Sequence, residues 1–180
     1  MNGDIRFIEE YLEGDDEAGG ELVMRYQRRI FAFLYRMTGD MEESKDLTQT
    51  VFIKALNGLK DFRKESSFKT WLYRIAANAG LNHISGRRQE AEIDETLASG
   101  EKGALSELMD NEKREIIRTG LDRLPERQRT AVILRVYEGL SCNETALVMG
   151  CTEGAVKAHY SFAVKKLKGV FREKGYDVKS

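Results

Sequence analysis

Apolar residues recur at spacings of three and four along almost the whole chain, and no stretch alternates with period two for long, so the pattern predicts an all-α protein. A short helix is expected near Ile5 to Leu12. A second, around Leu22 to Met37, carries Leu22, Tyr26, Ile30, Phe33, Leu34 and Met37 on one side. Gly39 ends it, and Asp40 with Glu43 three residues on has the spacing of a capping box for a third helix, about Met41 to Leu59. Asp61 to Ser67 reads as a loop whose serines can cap a fourth helix beginning near Phe68.

From about Arg88 to Leu105 the periodicity fades into Ala, Ser, Gly and acids, the composition of a flexible linker. The expected organisation is therefore a helical domain over residues 1–88, an acidic linker over 89–107 and a second helical domain over 108–180. Pro125, the only proline, is placed as a first-turn proline opening a helix from about Glu126 to Tyr137, which Gly139 breaks. Ser141 with Glu144 has the spacing of a second capping box. The short helix it opens ends at Gly150, and Thr152 can cap a longer one through about Arg172.

Ser141 to Lys168 thus has the layout of a helix-turn-helix. Ala146 leaves room for the next helix, Gly150 permits the sharp turn, and Val156 packs back into the core. A plain helical hairpin gives the same apolar pattern. The second helix adds a reason to favour DNA: Val156, Tyr160, Ala163 and Leu167 make an inward stripe, leaving Lys157, Ala158, Ser161, Phe162 and Lys165 outside. A cationic face of mostly small residues suits the major groove, where phosphates supply affinity.

A net charge of −1 at first argues against a nucleic-acid partner, but the charge is unevenly placed. Between Lys60 and Arg88 seven basic residues face two acids, and from Val156 to Arg172 there are five basic residues and no acid. Between Gln89 and Glu115 the balance reverses, with nine acids against three basic residues. Two basic surfaces flank an acidic connector.

The stretch SSFKTWLYRIAANAGLNHISGRR, Ser66 to Arg88, mixes rings, cations and amides. Trp71, Leu72 and Ile75 at helical spacing suit a core, while Lys69, Arg74 and Asn78 cannot share it, and Phe62 and Phe68 flank a polar loop. Rings beside cations suit unstacked bases, and amides can read the edge of a base turned out of the helix. The reading is opened, single-stranded DNA.

No catalytic reading competes. His83 and His159 lie in different halves without metal-ligand spacing, and no Gly-rich phosphate loop or activated nucleophile is present, so neither cofactor nor metal is expected. Cys142 and Cys151 lack the further partners of a zinc site and read as small half-buried residues. The longest apolar run, Ile30 to Tyr35, is six residues, far below a membrane span, and the N-terminus has no signal-peptide pattern; a cytoplasmic protein without membrane insertion is expected.

Taken together, the chain resembles a bacterial RNA polymerase sigma factor of the extracytoplasmic-function (ECF) group of the sigma-70 family, over nearly its full length. DLTQTVFIKAL resembles the core-binding segment of region two, and FKTWLYRIAANAGLNHI its promoter-melting and minus-ten segment. LPERQRTAVILRVYEGLSCNETALVMGCTEGAVKAHYSFAVKKL resembles region four. The resemblance implies a two-domain factor that binds core polymerase, places it on promoters and helps melt the minus-ten region, without being an enzyme. Asp46, Leu47, Gln49 and Phe52 would grip the β′ clamp helices, with the β flap as a further contact. Phe62, Ser67, Phe68 and Asn78 would surround the flipped minus-ten base, with Lys69, Arg74 and Asn82 completing that face. Thr152, Lys157, Ala158, Ser161, Phe162 and Lys165 would face the minus-thirty-five groove. An anti-sigma factor is an implied partner.

Two segments depart from the family pattern. Asn82 stands before His83 where many relatives carry an acid, and His159 and Phe162 stand where arginines are common in the recognition helix. The rival readings are a free-standing helix-turn-helix regulator, which has no reason to carry the region-two segments, and a protein that sequesters polymerase without promoter recognition.

Overall fold

The computed structural model describes residues 3–93 and 111–176, all of whose regular elements are helical. They divide between two compact units, Met1–Gly86 and Arg87–Ser180. The all-α expectation holds for both.

The first unit is built from α1 (Gly3–Leu12), α2 (Asp16–Thr38), α3 (Met41–Gly58), a 3₁₀ turn (Leu59–Asp61) and α4 (Phe68–Ile93) as far as Gly86. Its core takes the whole predicted stripe of α2, Leu22, Tyr26, Ile30, Phe33, Leu34 and Met37, against Ile8 of α1, Val51 and Ala55 of α3, and Leu72, Tyr73 and Ala76 of α4. Helix α2 begins six residues earlier than its apolar stripe. Asp15 caps it by accepting a hydrogen bond from the Glu17 N–H at 3.0 Å, and Ala18 is buried.

The Asp40 cap is half of the expected box. Asp40 Oδ1 accepts from the Glu43 N–H at 2.9 Å, but the Glu43 carboxylate turns instead to His83 on α4, Oε2 to Nε2 2.9 Å, and the Asp40 N–H donates to Thr38 Oγ1. The pair is close yet off the line of a good hydrogen bond, as Nε2 has no well-aligned partner. Glu43 thus ties two helices together rather than closing its own.

Helix α4 continues to Ile93, so the first five residues of the expected linker are helical. The reason is local propensity: Gln89, Glu90, Ala91 and Glu92 are good helix formers that carry no apolar periodicity. The rest of that linker lies outside the described residues.

The second unit contains α5 (Asn111–Asp122), α6 (Glu126–Val132), α7 (Cys142–Met149) and α8 (Glu153–Glu173). Pro125 is the N-cap residue of α6, one position before the expected first turn. The segment expected to end as ordinary helix widens into a π turn over Ile133–Tyr137. Its bonds include the Glu138 N–H donating to Ile133 O. Leu121, Leu124, Val132 and Ala163 form one buried cluster of its core, with Tyr160 and Leu167 packed on it. Gly120 lets α5 approach α8 closely, since a Cβ there would meet Leu167 Cδ2 at 2.8 Å.

Candidate nucleic-acid and polymerase interfaces

Helix α7 opens on a complete capping box. The Glu144 N–H donates to Ser141 Oγ at 3.1 Å, and the Ser141 N–H donates to Glu144 Oε2 at 2.8 Å. It ends at Gly150 with φ +60°, and the N–H groups of Gly150 and Cys151 both return to Ala146 O. Two residues on, Thr152 Oγ1 accepts from the Ala155 N–H at 3.2 Å and starts α8. The turn is therefore fixed at both ends by local hydrogen bonds.

The rotation of α8 follows from what it buries. Val156, Ala163 and Val170 are buried, with Tyr160 and Leu167 packed on the same core. Lys157, Ala158, Ser161, Phe162 and Lys165 are consequently exposed, as is Thr152. Phe162 is 59% exposed. The sequence-predicted outer face is thus brought together on one side of one helix. Cys142 and Cys151 are half-buried, and Cys142 Sγ lies 3.6 Å from Glu153 O.

Beneath this motif, Arg129 makes a contact that the sequence did not signal. Its Nη2 donates to Asp122 O at 2.9 Å and Leu124 O at 3.4 Å, and Nη1 lies 3.9 Å from Asp122 Oδ1. It satisfies carbonyls at the end of α5. Desolvation by burial lowers its pKa from the ordinary arginine value, while Asp122 and Glu126 oppose that shift.

In the first unit, Ser67 Oγ accepts from the Thr70 N–H at 3.1 Å and caps α4, as the loop serines promised. Along α4, Arg74, Asn78 and Asn82 recur every fourth residue and are all exposed, so they line one face. Ser67 is exposed at its start and Lys69 is half-buried, its ammonium 5.8 Å from the Tyr73 ring.

The rings are used differently from the sequence expectation. Phe68 is 2% exposed and Phe62 8%, too little to offer a free face to a base. They pack on each other with centroids 6.1 Å apart, and Trp71 lies 5.3 Å from Phe62 and 5.8 Å from Phe68. Burial of large apolar area decides their placement. Trp71, whose spacing suggested a core residue, is only half-buried.

On α3, Asp46 and Gln49 are exposed and Leu47 half-buried. Phe52, expected on the same surface, is 7% exposed and belongs to the core. Val51, Phe52, Ala55 and the following Leu59 repeat at core spacing, which turns Phe52 inward and brings Ile53 out. Ile53, 61% exposed, is an apolar residue of this face that sequence reading missed. Helical spacing from the buried Val51 and Ala55 contained the signal.

Residues 22–90 match the family model of Sigma-70 region 2, and residues 114–167 that of Sigma-70 region 4. The chain is 38% identical over 168 residues to the RNA polymerase sigma-H factor of Pseudomonas aeruginosa, covering 86% of each. This chain belongs to the sigma-70 family, in its ECF group. It is also 37% identical over 167 residues to the ECF RNA polymerase sigma-E factor of Escherichia coli K12, covering 84% of this chain and 85% of that one. Like its relatives, this ECF factor acts in promoter-directed transcription initiation with RNA polymerase and is an initiation factor rather than an enzyme.

Solved structures share the fold of this sigma factor. The sigma factor RpoE of Bartonella quintana, solved with the anti-sigma factor NepR, aligns with TM-score 0.76 at 22% identity, over 85% of this chain and 96% of that one. CnrH, solved with the cytosolic domain of CnrY, aligns with TM-score 0.73 at 20% identity, over 96% and 99%. Among the described residues no helix is long and apolar enough to cross a membrane.

Proposed function

We propose that this ECF sigma factor divides its work among three surfaces, on domains spanning residues 1–88 and 108–180 with a connecting segment over 89–107. Asp46, Leu47 and Gln49 on α3, together with exposed Ile53, grip the β′ clamp helices of core polymerase, with Phe52 stiffening that face from beneath. Ser67, Lys69, Arg74, Asn78 and Asn82 receive the opened minus-ten strand, with Asn78 reading an extruded base through its amide. Phe62 and Phe68 form the wall behind that face. Helix α8 enters the minus-thirty-five major groove, Lys157 and Lys165 meeting phosphates and Ala158, Ser161 and Phe162 meeting base edges, while Thr152 lies against the backbone. The second unit also meets the β flap, an anti-sigma factor holds the protein inactive, and it works in the cytoplasm.

The observation that carries this reading is the orientation of α8. Three buried residues, Val156, Ala163 and Val170, fix the helix so that the residues with DNA-binding chemistry all face outward. The test is transcription of genomic DNA by purified core polymerase with this chain as the only sigma factor. Discrete start sites sharing two upstream elements are expected. Transcription no more selective than that of core alone would overturn the proposal.

A further inference from the structure

Helix α8 is poor in the forked side chains that read bases. From Glu153 through Phe171 it has no arginine, asparagine or glutamine, which leaves its lysines as donors to guanine and the short Ser161 hydroxyl as its other hydrogen-bonding reader. Glu153, which could accept from cytosine, is already held by Asn143, whose Nδ2 donates to its carboxylate at 3.3 Å. What the exposed face offers is a row at four-residue spacing, Gly154, Ala158 and Phe162, in which two small residues lead to an exposed ring. Lys157, Lys165 and Lys166 are exposed beside that row.

Single exposed apolar residues are ordinary on protein surfaces. Phe162 differs in its place: it lies outside the buried stripe of Val156, Ala163 and Val170, between the exposed Lys165 and Lys166 around the helix. The floor of the major groove carries one apolar group, the C5-methyl of thymine, and alanine and phenylalanine are among the side chains that contact it. The small residues at 154 and 158 let the helix come close enough for a ring to reach the floor, and the lysines supply sequence-independent affinity.

We propose that Phe162, let close to the groove floor by the small side chain of Ala158, reads thymine methyl groups in the minus-thirty-five element, so that this sigma factor selects thymine where an arginine at the same place would select guanine. The inference rests on the assignment of α8 to that groove and adds the base class it prefers.

The experiment uses holoenzyme reconstituted from the full chain and core polymerase. Promoter duplexes are selected from a pool randomised over the minus-thirty-five element. Each thymine of the selected site is then replaced by deoxyuridine, which removes only the methyl group. Affinity should fall about fourfold at one or two positions, the value of one buried methyl. Phe162→Ala, at a position exposed enough to leave the fold intact, should bind the thymine and deoxyuridine forms equally, and Phe162→Arg should shift the selected base to guanine. A site indifferent to deoxyuridine, a penalty that survives in Phe162→Ala, or a Phe162→Arg variant that still selects thymine would overturn the methyl contact alone. A pool that fails to converge upstream would overturn the groove assignment of α8, and the methyl contact with it.

Discussion

Phe68 meets Tyr26 edge-on, with ring centroids 5.5 Å apart and planes at 73°. This joins the first turn of α4 to the middle of α2 and places Phe68 in the core, beside the surface proposed for the opened strand. Phe68→Ala should cost about 3–5 kcal/mol, the range for removing a buried phenylalanine. Asn78→Ala, on the exposed face, should change stability by less than about 0.5 kcal/mol. Urea unfolding of the two variants checks the contrast. Equal, small losses would mean that Phe68 is not a packing residue.

Tyr26 also carries a pH dependence. Its hydroxyl donates to Asp4 Oδ2 at 2.7 Å, and Arg25 Nη1 lies 2.5 Å from Asp4 Oδ1. Burial, then the hydrogen bond and charge of Asp4, raise the phenol pKa far above its ordinary value of 10.0. The folded chain thus holds this proton more tightly than the unfolded chain. The corresponding stability is complete below about pH 10 and is lost as the pH climbs above it. Thermal melts at pH 8 to 11 should show the parent protein losing stability faster than Tyr26→Phe. At neutral pH that variant should be weaker by about 1.5–3 kcal/mol, the range for a hydrogen bond to a charged group. Parallel pH profiles would place the alkaline sensitivity elsewhere.

On α3, Gln49→Ala and Asp46→Ala should each weaken binding to core polymerase while leaving the melting curve unchanged, because both side chains are exposed. Titration of labelled protein into core measures this. Unaltered affinity in both variants would remove α3 from the interface.

For the minus-ten strand, Asn78→Ala should reduce open-complex formation and relax preference at one position by about 1–3 kcal/mol, with core binding spared. Permanganate footprints on a selected promoter and on one pre-opened by mismatches separate reading from melting. A variant that melts and discriminates the selected promoter like the parent would end the base-reading role of this side chain.

Much of the fold was legible because helical periodicity reports burial directly. The α2 stripe and the inward face of α8 are buried or packed on the core where the spacing put them, and the Ser141–Glu144 box closes as written. Residue type alone could not say whether Phe62 and Phe68 were destined for bases or for each other, since both fates need the same flat apolar ring. Phe52 and Ile53 are adjacent in sequence and opposite in direction, so a one-residue error exchanges core for surface. Asp4 and Arg129 escaped notice for another reason. Asp4 meets partners 21 and 22 residues away, and Arg129 caps a helix other than its own; neither relationship leaves a local pattern.

The loop before α4 is fastened at three points. Phe62 is sunk into the ring cluster, the Lys64 ammonium lies 2.7 Å from Glu9 Oε1 of α1, and Ser67 caps the helix that follows. Lys64 itself takes φ +59°, a backbone state uncommon for a residue with a side chain. The segment is thus held by contacts within the first unit. If the opened strand lies across Ser67 and Asn78 as proposed, it meets a segment already held in place, and little of its binding free energy should be spent on ordering protein. Its affinity there should accordingly be governed by the nucleic acid's own readiness to unstack, so that the flexibility of a promoter's base steps, as much as their identity, becomes part of what this protein recognises.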